Sequence, residues 1–375
     1  MKFTCNTKPL QNALKLGVVK SNISKFYQKS CVAKVTCTRD TLRINLEASR
    51  IITQLTLHGS GDEETAASIF VDCQVFSDLV STFDSDVLTI EFVEGGIILH
   101  SGKSKFTLPH MVDDSDLDLA IPQKLDSDAS HLAKELKSED WKFIADHQMF
   151  AIATNFIHPV YCRVWIGDSG QVLVGDYDNS IFTYSTKGSL GRSCLLTPTI
   201  INLFTALPEG SKLIDTGSSY LVEVRTDGYE YLTEFSPESE DDESVGSYNS
   251  EAFLGLFSNK ENAITLDVPK VTKFLNQASL VASAADAPMD FVVTPEFASI
   301  RDNNVDCKLP ISGSISIGSY SCRFKANFLR AIFSALDAEK VNVSPSFQTN
   351  DEGVTEVVGA MFWTDELSIL LAALE

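Results

Sequence analysis

Few residues of this chain stand in a pattern that could do covalent chemistry. Asp215-Thr216-Gly217-Ser218 has the local form of an aspartate held for acid–base hydrolysis. That chemistry needs two such carboxylates sharing a proton, and no second Asp-Thr-Gly occurs. Between Leu213-Ile214 and Tyr220-Leu221, the motif reads as a turn joining two strands. Gly102-Lys103-Ser104 has the ending of a phosphate-binding loop. Its first glycine should stand where Ile97 does, and its setting is strand–turn–strand instead of strand–loop–helix. The histidines at 58, 100, 110, 132, 147 and 158 show no metal-ligand spacing. Neither Gly-x-Ser-x-Gly nor Gly-x-Gly-x-x-Gly occurs. The eight cysteines, Cys5, Cys31, Cys37, Cys73, Cys162, Cys194, Cys307 and Cys322, form no Cys-x-x-Cys pair. Several sit in apolar patterns, as buried free thiols in a reducing compartment do. No metal or cofactor is expected, and a binding or structural role is favoured over catalysis. A hydrolase with an unrecognised site has nothing positive behind it.

The elements around these residues recur. Six apolar helical patterns appear at intervals of roughly 60 residues. They carry Leu10, Ala13, Leu14 and Val18; Val75, Phe76, Leu79, Val80 and Phe83; Trp141, Ile144, Ala145 and Ile152; Ile200, Ile201, Leu203, Phe204 and Leu207; Val271, Phe274, Leu275 and Ala278; and Phe328, Leu329, Ile332, Phe333 and Leu336. Spacing of three and four residues puts each set on one helix face. Asp72, Ser138 and Thr197 suit N-caps, and Pro198 suits a first helical position. Between the helices lie strand pairs: Val32–Val35 with Thr41–Leu46, Val87–Val93 with Ile97–His100, Tyr161–Ile166 with Gln171–Val174, and Tyr220–Arg225 with Tyr229–Phe235 around Asp227-Gly228. The fold class is α+β, with helices covering one face of antiparallel sheet.

The chain has 375 residues, 44% of them hydrophobic, so two or three domains with ordinary cores are expected. No apolar run approaches the ~18 residues of a membrane span. Met1-Lys2 runs directly into strand-like sequence without the apolar stretch of a signal peptide, which predicts a cytoplasmic protein. The net charge of −21 argues at first against nucleic acid. The charge is uneven, however. Lys8, Lys15, Lys20, Lys25 and Lys29 precede any acid, and the later helices carry Lys270, Lys273, Arg323, Lys325 and Arg330. Acid gathers in Asp113–Asp118, Asp126–Asp128 and Ser236–Glu251.

Several segments resemble the bacterial-type DNA polymerase sliding clamp, the β-clamp processivity factor. They are Met1-Lys2-Phe3-Thr4, Asp40–Ile44, Ser101–Leu108, Ile264–Ser283 and Arg323–Leu336, in the family's order. The resemblance implies three similar clamp domains, at 1–122, 123–258 and 259–375, each with two helices on curved antiparallel sheet. Two chains would close head-to-tail into a ring, a homodimer, around double-stranded DNA. The partners implied are a DNA polymerase and a clamp loader. A trimeric ring is a variant, and an acidic clamp-fold interaction scaffold without ring closure is the alternative in another class.

Three sets of residues carry over from the resemblance. Lys15, Lys20, Lys25, Lys142, Lys273 and Arg330 would face DNA. Phe106 and Leu108 on one chain, with Leu280 and Val281 on the other, would form the dimer interface. Val160, Tyr177, Phe328, Leu370, Leu371 and Leu374 would line a groove taking leucine and aromatic side chains of partner peptides. The turn Gly175–Ser180 and the tail Leu371–Glu375 lack the family's basic residues. Such divergence suits a virus-encoded clamp serving its own polymerase, in bacterial or infected-host cytoplasm.

Overall fold

The computed structural model describes residues 1–18, 32–48, 50–63, 66–111, 119–122, 133–155, 157–239, 248–281, 287–313, 315–349 and 355–374. Seven α-helices occur among them: α1 (Thr7–Gly17), α2 (Cys73–Ser81), α3 (Ser138–His147), α4 (Pro198–Ala206), α5 (Ser250–Leu256), α6 (Val268–Val281) and α7 (Ala326–Ala335). Six stand where the apolar periodicity places them. On α1 the stripe Leu10, Ala13 and Leu14 is buried, and on α7 so are Leu329, Ile332 and Phe333. The Asp72 side chain accepts from Val75 N and caps α2. Asp267 does the same for α6 through Lys270 N at 2.9 Å.

Four details differ from the sequence reading. Ile152 lies beyond α3, after a 3-10 turn at Met149–Ala151. Tyr161 and Cys162 belong to a 3-10 turn, Pro159–Cys162, because proline at its start fixes φ and offers no strand hydrogen bond. Val75 is half exposed, off the buried stripe of Cys73, Phe76 and Val80. Helix α5 was not anticipated. Asn249 caps it by accepting from Ala252 N.

Six times, a strand leads into a helix and three strands follow. The first repeat is Lys2–Asn6, α1, Val32–Cys37, Thr41–Ala48 and Ile51–His58. Successive repeats exchange their leading strands. Lys2–Asn6 pairs with Val87–Val93 of the second repeat, and Ala67–Asp72 returns to pair with Val32–Cys37 of the first. The third and fourth repeats do likewise through Lys134–Glu135 on Lys212–Asp215 and Cys194–Leu196 on Val164–Ile166. The fifth and sixth do so through Ile264–Asp267 on Lys340–Thr349 and Tyr320–Lys325 on Pro288–Val293. A repeat therefore cannot complete a sheet by itself, which ties the repeats together two by two.

The chain forms two compact bodies, residues 1–139 with 199–237, and residues 140–198 with 238–375. In the first body an eight-stranded antiparallel sheet runs from Lys134–Glu135 to Ala67–Asp72. Its centre joins the last strands of the first and fourth repeats, with Tyr231 opposite Leu55. A five-stranded sheet ends at Ser104–Pro109, the last strand of the second repeat. The two rejected motifs are hairpin turns here. Gly102 has φ +58°, and Asp215 Oδ1 accepts from Gly217 N at 2.8 Å.

In the second body a nine-stranded sheet joins the last strands of the third and sixth repeats, with Phe182 opposite Leu370. A four-stranded sheet ends at Asp306–Pro310, the last strand of the fifth repeat. Helices α6 and α7 cover one face of this sheet system through Val271, Leu275, Leu329, Ile332 and Phe333. The opposite face of the nine-stranded sheet carries a separate cluster with Val160, Trp165, Leu173, Phe182, Met361 and Leu370. Burying each Phe or Leu contributes roughly 1.5–3 kcal/mol.

Candidate interaction surfaces

The basic residues singled out for DNA sit on the repeat helices. Lys15 lies exposed in the last turn of α1, where its charge suits the helix dipole. Lys142 on α3 and Lys273 on α6 are exposed, and Arg330 on α7 is half-buried. Lys20 and Lys25 lie outside the described residues. Among the described residues the six repeat helices are, each by itself, only mildly basic. α2 and α4 carry no Lys or Arg, while α3 adds Glu139, Asp140 and Asp146. Lys273 and Leu280 line one open groove of about 1050 Å³ between α6 and the end of α7, with Phe333, Leu336 and Glu339.

Two of the dimer candidates, Phe106 and Leu108, lie on a strand at a sheet edge. Ser104–Pro109 and Asp306–Pro310 are edge strands among the described residues. They are the last strands of the second and fifth repeats, whereas the last strands of the other four pair with one another. Phe106 stays 39% exposed, its ring 5.4 Å from that of Phe83, and Leu108 on the same strand face is buried. In the other edge strand Leu309 is buried and Cys307 packs beside the same core. Leu280 is 85% exposed near the end of α6, an unusual placement for a leucine. Val281 is the last residue of that helix.

The groove residues all lie in the second body, but on both faces of its sheet. Val160 and Leu370 are buried together on the face away from α6 and α7. Leu371 points to the other face, into the helical core, as alternation along a strand requires. Phe328 packs on that core too, and Lys325 Nζ lies 5.4 Å from its ring. The same amine donates to Asn179 Oδ1 at 3.2 Å, which ties Phe328 to the Tyr177 turn. In that turn Asp176 accepts from Asn179 N and Nδ2, and Tyr177 stands 57% exposed. Leu374 is partly exposed, with its N–H donated to Arg323 O.

The residues that knit Val160, Tyr177 and Leu370 into one surface escaped the sequence reading. Tyr161 stacks on Tyr177 at 5.7 Å and meets Phe182 and Phe253 edge-on. Phe253 lies 4.8 Å from Phe182, and Tyr248 stacks on Trp165. Phe257 stacks on Tyr184. Nothing in the spacing of these rings announces the cluster, because they come from distant segments. Burial, and then neighbouring Tyr177, raise the Tyr161 phenol above its ordinary value, so it remains neutral. Beside the groove, Arg163 Nε donates to Glu238 Oε2 at 2.6 Å and Nη2 to Oε1 at 3.3 Å, a forked pair with little exposure.

The thiols behave as packing groups. No disulfide joins the seven described cysteines to one another, and six of them are buried. Burial pushes Cys5 and Cys322 up to about 12 and Cys37 up to about 11. Thiols held protonated in this way are poor nucleophiles. Among the described residues no helix is long and apolar enough to cross a membrane.

No protein-family model matches the sequence, and no curated protein matches it. Solved structures match by fold. A putative DNA polymerase III β subunit from Eubacterium rectale superposes with a TM-score of 0.75 at 13% identity, covering 100% of this chain and 99% of that one. A β sliding clamp from Caulobacter crescentus gives 0.74 at 12% identity, with 100% and 99% covered. A Helicobacter pylori β clamp bound to a DNA ligase peptide gives 0.68 at 14% identity, with both chains covered completely. Over its whole length this chain therefore has the fold of the β sliding clamp.

Proposed function

We propose that this chain is a DNA sliding clamp, a non-catalytic cytoplasmic ring that encircles duplex DNA and tethers a DNA polymerase. The observation that carries the reading is the pairing of last strands. First joins fourth and third joins sixth within the chain, while second and fifth are left as edges. Exposed edges invite pairing with another chain. A second copy satisfies both edges head-to-tail, and the arrangement closes. The two-by-two strand exchange supports three domains, at 1–122, 123–258 and 259–375. In the ring, the six repeat helices of each chain would present Lys15, Lys142, Lys273 and Arg330 inward, with Lys20 and Lys25 in the same role. Contacts of that kind hold phosphates without reading sequence, which suits sliding. The acidic exterior keeps DNA off the outer face. A clamp loader would open the seam, and polymerase peptides would dock at the aromatic groove, a role in keeping with the ligase peptide on the Helicobacter pylori clamp.

The internal joins also support a register for the seam. Both are antiparallel and overlap almost fully, and residues facing each other share a sheet face, as Tyr231 and Leu55 do. Full overlap of Ser104–Pro109 with Asp306–Pro310 allows two registers. Only one sets core-facing residues opposite each other: Leu108 against the partner's Cys307 and Phe106 against the partner's Leu309. It also sets Thr107 against the partner's Lys308. The test is a Thr107→Cys, Lys308→Cys double variant in a Cys307→Ser background. Directly opposed residues lie about 4.5–5.5 Å apart at Cα, within disulfide range. Oxidation should give a covalent dimer on a non-reducing gel. A chain that stays monomeric at micromolar concentration and forms no cross-link contradicts ring closure and favours an acidic scaffold.

A further inference from the structure

We propose that residues 248–257 are a displaceable occupant of the aromatic groove, held in cis on the surface where a partner's leucine- and aromatic-bearing peptide docks. The segment crosses the sheet face that α6 and α7 leave uncovered. Tyr248 stacks on Trp165, Phe253 sits against Phe182 and Tyr161, and Phe257 stacks on Tyr184. Leu254 and Phe253 join the cluster that contains Val160 and Leu370. The chain thus places three aromatic rings and a leucine where an incoming peptide would place its own.

The anchoring of the segment is uneven. Its two flanks are fixed. Upstream, Glu238 exchanges both backbone hydrogen bonds with Leu195 and forms the forked pair with Arg163. Downstream, Lys260 Nζ lies 4.5 Å from the Trp363 ring. Between them α5 buries no residue fully, exposes Leu256 and contains Gly255. A seven-residue helix with an internal glycine does not persist in water by itself, so α5 exists because it lies on the groove. Fixed flanks with a marginal centre let the segment leave its seat and return to it. A seat occupied nine-tenths of the time lowers the affinity of an incoming peptide about tenfold.

The role of the incoming peptide rests on the clamp reading, but the seat itself can be tested without DNA or polymerase. The probe is a fluorescent synthetic peptide with the chain's own sequence 248–257, titrated onto the full chain and followed by anisotropy. Phe253→Ala should bind it about tenfold more tightly than the unmodified chain, and Phe182→Ala should lose it. Phe253→Ala binding no more tightly, or more weakly, overturns the proposal and makes the segment a fixed wall. Hydrogen exchange on the unmodified chain keeps the test independent of how that variant folds. Excess probe should speed exchange of amides 251–257, and unchanged or slower exchange there overturns the proposal. Loss of clamp function alone, seen as failure to cross-link the seam, leaves both readouts intact.

Discussion

Replacing Phe106 by serine should weaken the dimer far more than it weakens the fold. The ring lies on a sheet edge with 39% of its surface exposed and the rest against Phe83. A phenylalanine offers about 150–250 Å², so about 60–100 Å² remains for a second chain to cover. At ~25 cal/mol per Å² that is about 1.5–2.5 kcal/mol for each seam. A closed dimer has two seams, which brings the loss to about 3–5 kcal/mol, or between two and four powers of ten in Kd. Sedimentation velocity over a dilution series measures it, with thermal unfolding to correct for the contact with Phe83. Ile121→Ser, at a still more exposed apolar residue that belongs to neither edge strand, should leave the Kd unchanged. A Phe106→Ser variant that dimerises within threefold of the unmodified chain would refute the edge-strand reasoning.

Other perturbations read other parts of the account. Asp72→Ala removes the cap on α2 and should lower stability by about 1 kcal/mol, seen as a lower urea midpoint at constant slope. Glu91 sits below its ordinary carboxylate value, first because His100 donates to it at 2.7 Å and also because of Lys2 and Lys105. Its folded value lies below its unfolded one. The stabilisation is therefore complete above 4.5 and lost as the pH falls through the lowered value. His100→Ala should flatten that acid limb of the unfolding curve, and an unchanged limb would remove the pair from the account. On linear DNA, where binding is electrostatic alone, Lys273→Gln and Arg330→Gln should each make the log K against log salt slope shallower by up to about 1. Unchanged slopes would place both side chains away from phosphate.

The parts of the molecule legible in its sequence are those set by local spacing. Leu329, Ile332 and Phe333 share a helix face whatever the rest of the chain does, and the turn at Asp227-Gly228 is closed locally, by Thr226 Oγ1 accepting from Gly228 N and Tyr229 N. Proline at 159 overrode a strand pattern at Tyr161, because its fixed φ suits the first position of a helical turn. Leu370 and Leu371 looked equivalent as consecutive apolar residues, yet alternation sends one to the aromatic cluster and one to the helical core. Helix α5 was hidden because its amphipathic stretch is only two turns long and follows an acidic run. The aromatic surface was hidden for another reason. Tyr161, Phe182, Tyr248 and Phe253 meet only after strands from separate repeats have paired, and single-sequence periodicity carries no record of that.

The central claim is topological, and one measurement addresses it without a loader. The Thr107→Cys, Lys308→Cys, Cys307→Ser chain is mixed with nicked circular DNA, oxidised, and passed over a sizing column in about 1 M salt, where the screening length is only ~3 Å. Covalent dimer should stay with the circle under these conditions and be released when the circle is cut once. Dimer that leaves the intact circle in high salt, or that remains on the linear product, would contradict the central claim.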